Sequence, residues 1–196
     1  DSMTLICVVL AGVLAKMMEP PKGGMQGLVM MGLIAYMSFC ASGYAGKWDK
    51  ELENPYLYLI PDTAVRKMWN ATKMEHIKAF FDGLLMAGMI GYFWHVPFWQ
   101  IVASIVIYVL LQANKMYLKV FAKMLLGNTM GNTGRTILRL LIQSAVLGVG
   151  VLISVAAAIF LNPEVVFAVM LVYSLAATVI VALFASMKFE VLEQNE

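Results

Sequence analysis

The chain has 196 residues, 61% of them hydrophobic and 13% charged, with a mean hydropathy of +0.79. Soluble domains are nearer half apolar and about a quarter charged, so this is a membrane composition. Lys and Arg number 14 against 12 Asp and Glu, a formal charge of +2, and with no basic domain to face a phosphate backbone the chain is not a nucleic-acid binder. A disulfide scaffold is excluded too: Cys7 and Cys40 are its 2 cysteines, and each lies inside an apolar run, where a thiol behaves as a small hydrophobe.

At about 20 apolar residues per helical span, the chain has room for roughly six spans, expected at about 2–18, 24–46, 77–94, 98–114, 138–161 and 164–187. The apolar runs are continuous and do not alternate with period two, so the expected fold is all-α, a polytopic membrane protein and not a barrel. The first run, Ser2 to Ala15, is short for a span and starts at Asp1, which implies an earlier native start or a truncated helix. It has no basic region before it, and Lys16 follows where a signal peptide would be cut. His95-Val96-Pro97 interrupts the third apolar stretch, because proline is disfavoured inside a helix, and Trp94 and Trp99 flank the break as interfacial aromatics do. Asn162-Pro163-Glu164 marks a second tight turn between two long runs.

Cations sort the two sides of the membrane. Lys47, Lys50, Arg66, Lys67, Lys73 and Lys78 fall between spans two and three; Lys115, Lys119, Lys123, Arg135 and Arg139 fall between spans four and five. The positive-inside rule then makes the connections at 47–76 and 115–137, and the tail with Lys188, cytoplasmic; Lys16 and Lys22 dissent. Gly127-Asn128-Thr129-Met130-Gly131-Asn132-Thr133-Gly134 reads as a helix break. It is not a phosphate loop, since Arg135-Thr136 replaces the required Lys and Ser/Thr and no strand precedes it.

The connection after span two is the most informative stretch. Pro55 and Pro61 bracket Tyr56-Leu57-Tyr58-Leu59-Ile60, a run suited to the headgroup boundary. Asp62 or Thr63 is then placed to cap an amphipathic surface helix, with Val65, Met68, Trp69 and Thr72 on one side and Arg66, Lys67, Asn70 and Lys73 on the other. It reads either as an interfacial anchor or as a docking element for a cytoplasmic partner. Asn70-Ala71-Thr72 matches a glycosylation sequon but falls on the cytoplasmic side, and is expected unmodified. Lys115, Lys119 and Lys123 form a basic stripe that continues span four and meets anionic lipid or an acidic partner.

Little here points to an enzyme. The 2 histidines, His76 and His95, are placed on opposite sides, and no paired cysteines or clustered carboxylates offer a metal its ligands. Hydroxyls within the spans, such as Ser104, Ser144, Ser154, Ser174 and Thr178, have no acid or base nearby in sequence. Asp82 has two readings: an interfacial pair with Lys78 one turn away, or an intramembrane functional carboxylate. Gly83, Ala87 and Gly91 recur every four residues, a face for close helix packing. The 16 methionines suit either core filling or surfaces that repack during motion.

Glu53-Asn54-Pro55-Tyr56-Leu57-Tyr58-Leu59-Ile60-Pro61-Asp62, then Lys67, Trp69, His76, Lys78 and Phe81-Asp82-Gly83 leading into a span, resembles the Putative ABC exporter family of bacterial membrane subunits. The resemblance runs from about Glu51 to the C-terminus. It implies the C-terminal membrane region of a longer permease in the bacterial cytoplasmic membrane, without an ATPase of its own, so that ATP and Mg act through a separate ATPase subunit. By analogy with ABC exporters, Val65, Arg66, Lys67, Trp69, Lys73 and His76 form the docking helix for that ATPase. A homodimer or a second permease half, together with membrane lipids, completes the expected partners, and the apolar spans lean toward an amphiphilic cargo. The alternatives are a secondary transporter coupled through Asp82 and a lipid-modifying enzyme using Glu75, His76 and Asp82. Adjacent residues on a helix point about 100° apart, which disfavours a Glu75-His76 pair.

Overall fold

Apolar segments buried in hydrocarbon must satisfy their own backbone groups, and a helix does so within one segment. The computed structural model describes residues 2–22, 25–40, 62–126, 132–160 and 162–193, and they are all-α. The helices are α1 (Ser2–Met17), α2 (Gln26–Cys40), α3 (Ala64–Trp94), α4 (Phe98–Leu126), α5 (Asn132–Phe160) and α6 (Pro163–Glu193). The last four are long and apolar enough to cross a membrane, while α1 and α2 are shorter apolar helices. The Tyr56–Ile60 run, the connection before Asp62 and the glycines at 127 and 131 lie outside the described residues.

Two tight turns set the topology at one end of the bundle. His95 takes a left-handed backbone (φ 52°, ψ 42°), and the N–H of Val96 closes onto the Gly91 carbonyl at 3.0 Å. This is the wide bond that ends a helix at a left-handed residue, with Pro97 behind it to prevent continuation. At the second turn Pro163 opens α6, the Val165 N–H bonds the Asn162 carbonyl at 2.9 Å, and Glu164 lies in the first turn. Proline lacks only a donor that a helix start leaves orphaned, and an acid there meets the positive end of the helix dipole.

α4 is the axis of the bundle, packed against α2, α3, α5 and α6, while α1 lies on α3. Two cores result. Ala15, Met30, Ile34, Met86, Ile90, Trp94, Ile105 and Tyr108 join α1, α2, α3 and α4. Met31, Ala103, Ile107, Ala157, Val166, Phe167 and Met170 join α2, α4, α5 and α6. Successive methionines on α2, Met30 and Met31, thus serve different cores. α5 and α6 present Leu152, Ile159, Phe160, Val172 and Leu183 outward, the surface a bilayer would cover.

The expected surface helix and third span are a single element: α3 runs unbroken from Ala64 to Trp94. Its entrance also differs from a simple side-chain cap. Thr63 has the extended N-cap backbone but makes no side-chain cap bond; its N–H goes to Asp62 Oδ1 at 2.8 Å, and Asp62 pairs with Arg66 at 3.7 Å. The buried side is rotated from the expected one. Lys67, Met68, Ala71 and Thr72 are buried, whereas Val65 and Trp69 are exposed. The neighbouring helix decides which face is covered, and a mixed stripe of apolar and long amphipathic side chains can be covered on either flank.

Candidate functional site

A helix rises 1.5 Å per residue, so about 20 residues cross the hydrocarbon. Counted from the two tight turns, that length reaches Glu75 on α3, Tyr117 on α4, Leu141 on α5 and Ala182 on α6. A group of polar side chains lies near this far boundary. Lys115 has Arg139, Lys119, Glu75 and Lys78 as its charged neighbours, drawn from three helices. Asn114, Arg139 and Gln143 are almost wholly buried, at 3%, 4% and 5% exposure. Among the described residues Asn114 Nδ2 and Gln143 Oε1 have no hydrogen-bond partner. Arg135, Arg139 and Gln143 succeed one another at four-residue spacing, which puts them along one face of α5.

Beside this layer lies an aromatic cluster. The His76 ring sits 5.1 Å from Trp69 and 6.0 Å from Tyr117 on α4. Its Nδ1 is 2.8 Å from the Thr72 carbonyl, a geometry in which Nδ1–H donates. The Thr72 hydroxyl donates to the Met68 carbonyl at 2.8 Å and is also joined to Tyr117. His76 is therefore held as a structural link between α3 and α4.

The sequence-derived docking residues divide into two sets. Val65, Arg66, Trp69 and Lys73 are exposed on the first turns of α3. Lys67 is buried, with 4% exposure, and His76 belongs to the aromatic cluster. Asp82 is half-buried and neighbours Lys78 and Tyr108. Gly83, Ala87 and Gly91 are all buried; a Cβ on Gly83 would meet Tyr108 Cδ1 at 2.8 Å, and one on Gly91 would meet Ile101 Cδ1 at 2.5 Å. These two glycines bring α4 close to the α3 backbone.

The sequence model of the Putative ABC exporter family matches residues 1–193. The chain belongs to this family. The match takes in the first fifty or so residues, ahead of Glu51 where the expected resemblance began. No curated protein and no solved structure shows a significant match. An ABC exporter family carries a transport role, with ATPase partners as its general kind, and suggests a transporter in preference to a classical enzyme. His76 and Asp82 are six residues apart on α3, about 9 Å along its axis.

The sequence reading did not single out Asn114 or Gln143, and it used Arg139 only to orient the chain. The four-residue spacing of Arg135, Arg139 and Gln143 was the available signal. Nothing in the sequence says that α4 brings Lys115 near Arg139.

Proposed function

We propose that the chain is the membrane-spanning permease subunit of a bacterial ABC exporter, moving an amphiphilic substrate with ATP hydrolysed by a separate nucleotide-binding subunit. Family membership supports the transport role. In this reading ATP and Mg act through that separate ATPase subunit. The observation that carries the reading is the unbroken α3, whose first turns expose Val65, Arg66, Trp69 and Lys73 while its later turns place Met86 and Ile90 in the core. A force applied by an ATPase at Arg66 and Trp69 passes through one rigid helix into the bundle. ATP-driven closure of two ATPases then biases the helices between inward-facing and outward-facing packings. A second copy of the chain or a second permease half supplies the other wall. The docking end of α3 and the C-terminus are cytoplasmic, and the subunit resides in the inner membrane.

The test is purification from the native membrane in mild detergent, with mass spectrometry of what stays bound. A stoichiometric soluble protein with a Walker A motif is the expected result; repeated recovery of the folded chain alone would overturn the reading. Arg66→Glu with Lys73→Glu changes only exposed side chains, and is expected to leave the bundle folded while uncoupling ATP hydrolysis from transport. Unchanged coupling in that variant would remove α3 as the docking element.

A further inference from the structure

We propose that the cleft between α2 and α5 is a binding site for one acyl chain of a membrane lipid, entered sideways from the bilayer. α2 packs on α3 and α4, while α5 packs on α4 and α6, so α2 and α5 stand apart with α4 and α6 beneath the gap. That gap is a cavity of about 270 Å³. Its floor is formed by the buried Met31, Ile107, Val166 and Met170, and its rim carries Gly32 on α2 and the exposed Val151 and Val155 on α5. A Cβ on Gly32 would meet nothing within 4 Å, so no neighbouring side chain closes the opening at that point.

Chemistry, length and placement select a hydrocarbon chain. Ser154 and Tyr173 are the polar side chains of the wall, and they give their hydroxyl protons to the Gly150 and Val146 carbonyls. Neither proton is offered to a ligand, and the wall selects by apolar contact. The lining runs from Met25 to Ala35 on α2 and from Val146 to Ala158 on α5, about 15 and 18 Å at the rise of a helix. One leaflet is half of the about 30 Å hydrocarbon core, so the cleft is as long as the chains of a single leaflet. Its volume exceeds the about 150 Å³ that holds a benzene ring in an engineered apolar cavity. A helix about 10 Å across would need on the order of 1,000 Å³ over the same length, so a chain is accommodated and a further helix is not. Gly27, in the first turn of α2, lies against Gln100 and Phe167 beside the two tight turns. The cleft therefore starts at the turn end of the bundle and descends toward the midplane, the direction an acyl chain takes from its headgroup. Its rim valines adjoin Leu152 on the outward apolar surface of α5, which makes the mouth continuous with the face a bilayer covers. The inference stands independently of the direction and energy source of transport.

The test reconstitutes the full chain in vesicles of phosphatidylcholine and phosphatidylglycerol that contain a trace of phosphatidylcholine with a photoactivatable diazirine on its acyl chain, and maps the labelled residues by mass spectrometry. The expected result is label on the floor residues Met31 and Met170 as well as on the outward Leu152 and Leu183. The floor label should be lost in Gly32→Phe, whose ring occupies the cleft, and kept in Gly88→Phe, which adds the same ring at an open position of α3. A phosphatidylglycerol probe with the same chain should label the floor equally, because the wall reads the chain and not the headgroup. Label confined to the outward faces, floor label from only one of the two probes, or equal floor label in the parent and Gly32→Phe overturns the proposal. A dimer of the parent that Gly32→Phe dissociates, with no label on the floor, gives the cleft to a second copy and likewise overturns it. Should Gly32→Phe fail to fold, Val155→Trp at the exposed rim decides: loss of the floor label supports the site, and an unchanged floor label refutes it.

Discussion

The indole N–H of Trp94 donates to the backbone carbonyl of Ala15 at 2.9 Å across 79 residues of sequence. The last turn of α3 is thereby fastened to the end of α1, with Trp94 only 1% exposed. α1 is a single short apolar helix, and this bond fixes its register against the bundle. Trp94→Phe keeps much of the ring packing but leaves the carbonyl without its donor, a loss of about 1–2 kcal/mol. Thermal unfolding in detergent should show a lower melting temperature, and accelerated hydrogen exchange should be concentrated in α1.

The glycines separate into two classes that can be tested as a series. A Cβ at Gly83 or Gly91 runs into Tyr108 or Ile101, whereas one at Gly32 or Gly88 meets nothing within 4 Å. Gly83→Ala and Gly91→Ala should each destabilise by about 1–3 kcal/mol, through forced separation of α3 and α4. Gly32→Ala and Gly88→Ala should be neutral or stabilise by up to about 1 kcal/mol, because alanine restricts the unfolded chain and favours the helix. Equal melting temperatures across the four variants would contradict the packing described here.

Tyr173 is expected to hold α6 to α5. Its hydroxyl donates to the Val146 carbonyl at 2.6 Å, at the edge of an apolar cavity of about 270 Å³ bounded by α2, α4, α5 and α6. Ser154, also on the cavity wall, donates to the Gly150 carbonyl at 2.8 Å, so both hydroxyls are committed to backbone. Tyr173→Phe should lower stability by about 0.5–1.5 kcal/mol and leave the secondary structure content unchanged by circular dichroism.

Asp82 distinguishes an ATP-driven exporter from a gradient-driven carrier. It lies half-buried between Lys78 and Tyr108, a setting that an interfacial ion pair explains without proton coupling. Asp82→Asn should retain ATP-dependent transport in reconstituted vesicles. Abolished gradient-driven uptake in this variant would instead favour the secondary-transporter reading.

The helical class was legible because uninterrupted apolar runs leave no other way to satisfy the backbone in lipid. Pro97 and Pro163 wrote both tight turns, since a ring nitrogen without a proton belongs beside a helix end and not within one. The length of α3 was less legible. Arg66, Lys67 and Lys73 read as the polar side of a separate surface helix, but charged residues need not end a helix that rises out of the hydrocarbon. Lys67 was assigned to the wrong side for a related reason: its long aliphatic stem packs as readily as an apolar side chain once a neighbouring helix covers it.

By itself, then, the sequence determined the solvent, the secondary structure, the turns and the family resemblance, since these follow from local composition and short motifs. The tertiary structure decided what those elements make together. Only the packing of α4 between α3 and α5 brings Lys115 near Arg139, and only the continuity of α3 links the exposed Arg66 to the buried Ile90. Helix periodicity defines the faces of each element. Which faces meet depends on close packing between segments distant in sequence, and one chain read alone does not state it.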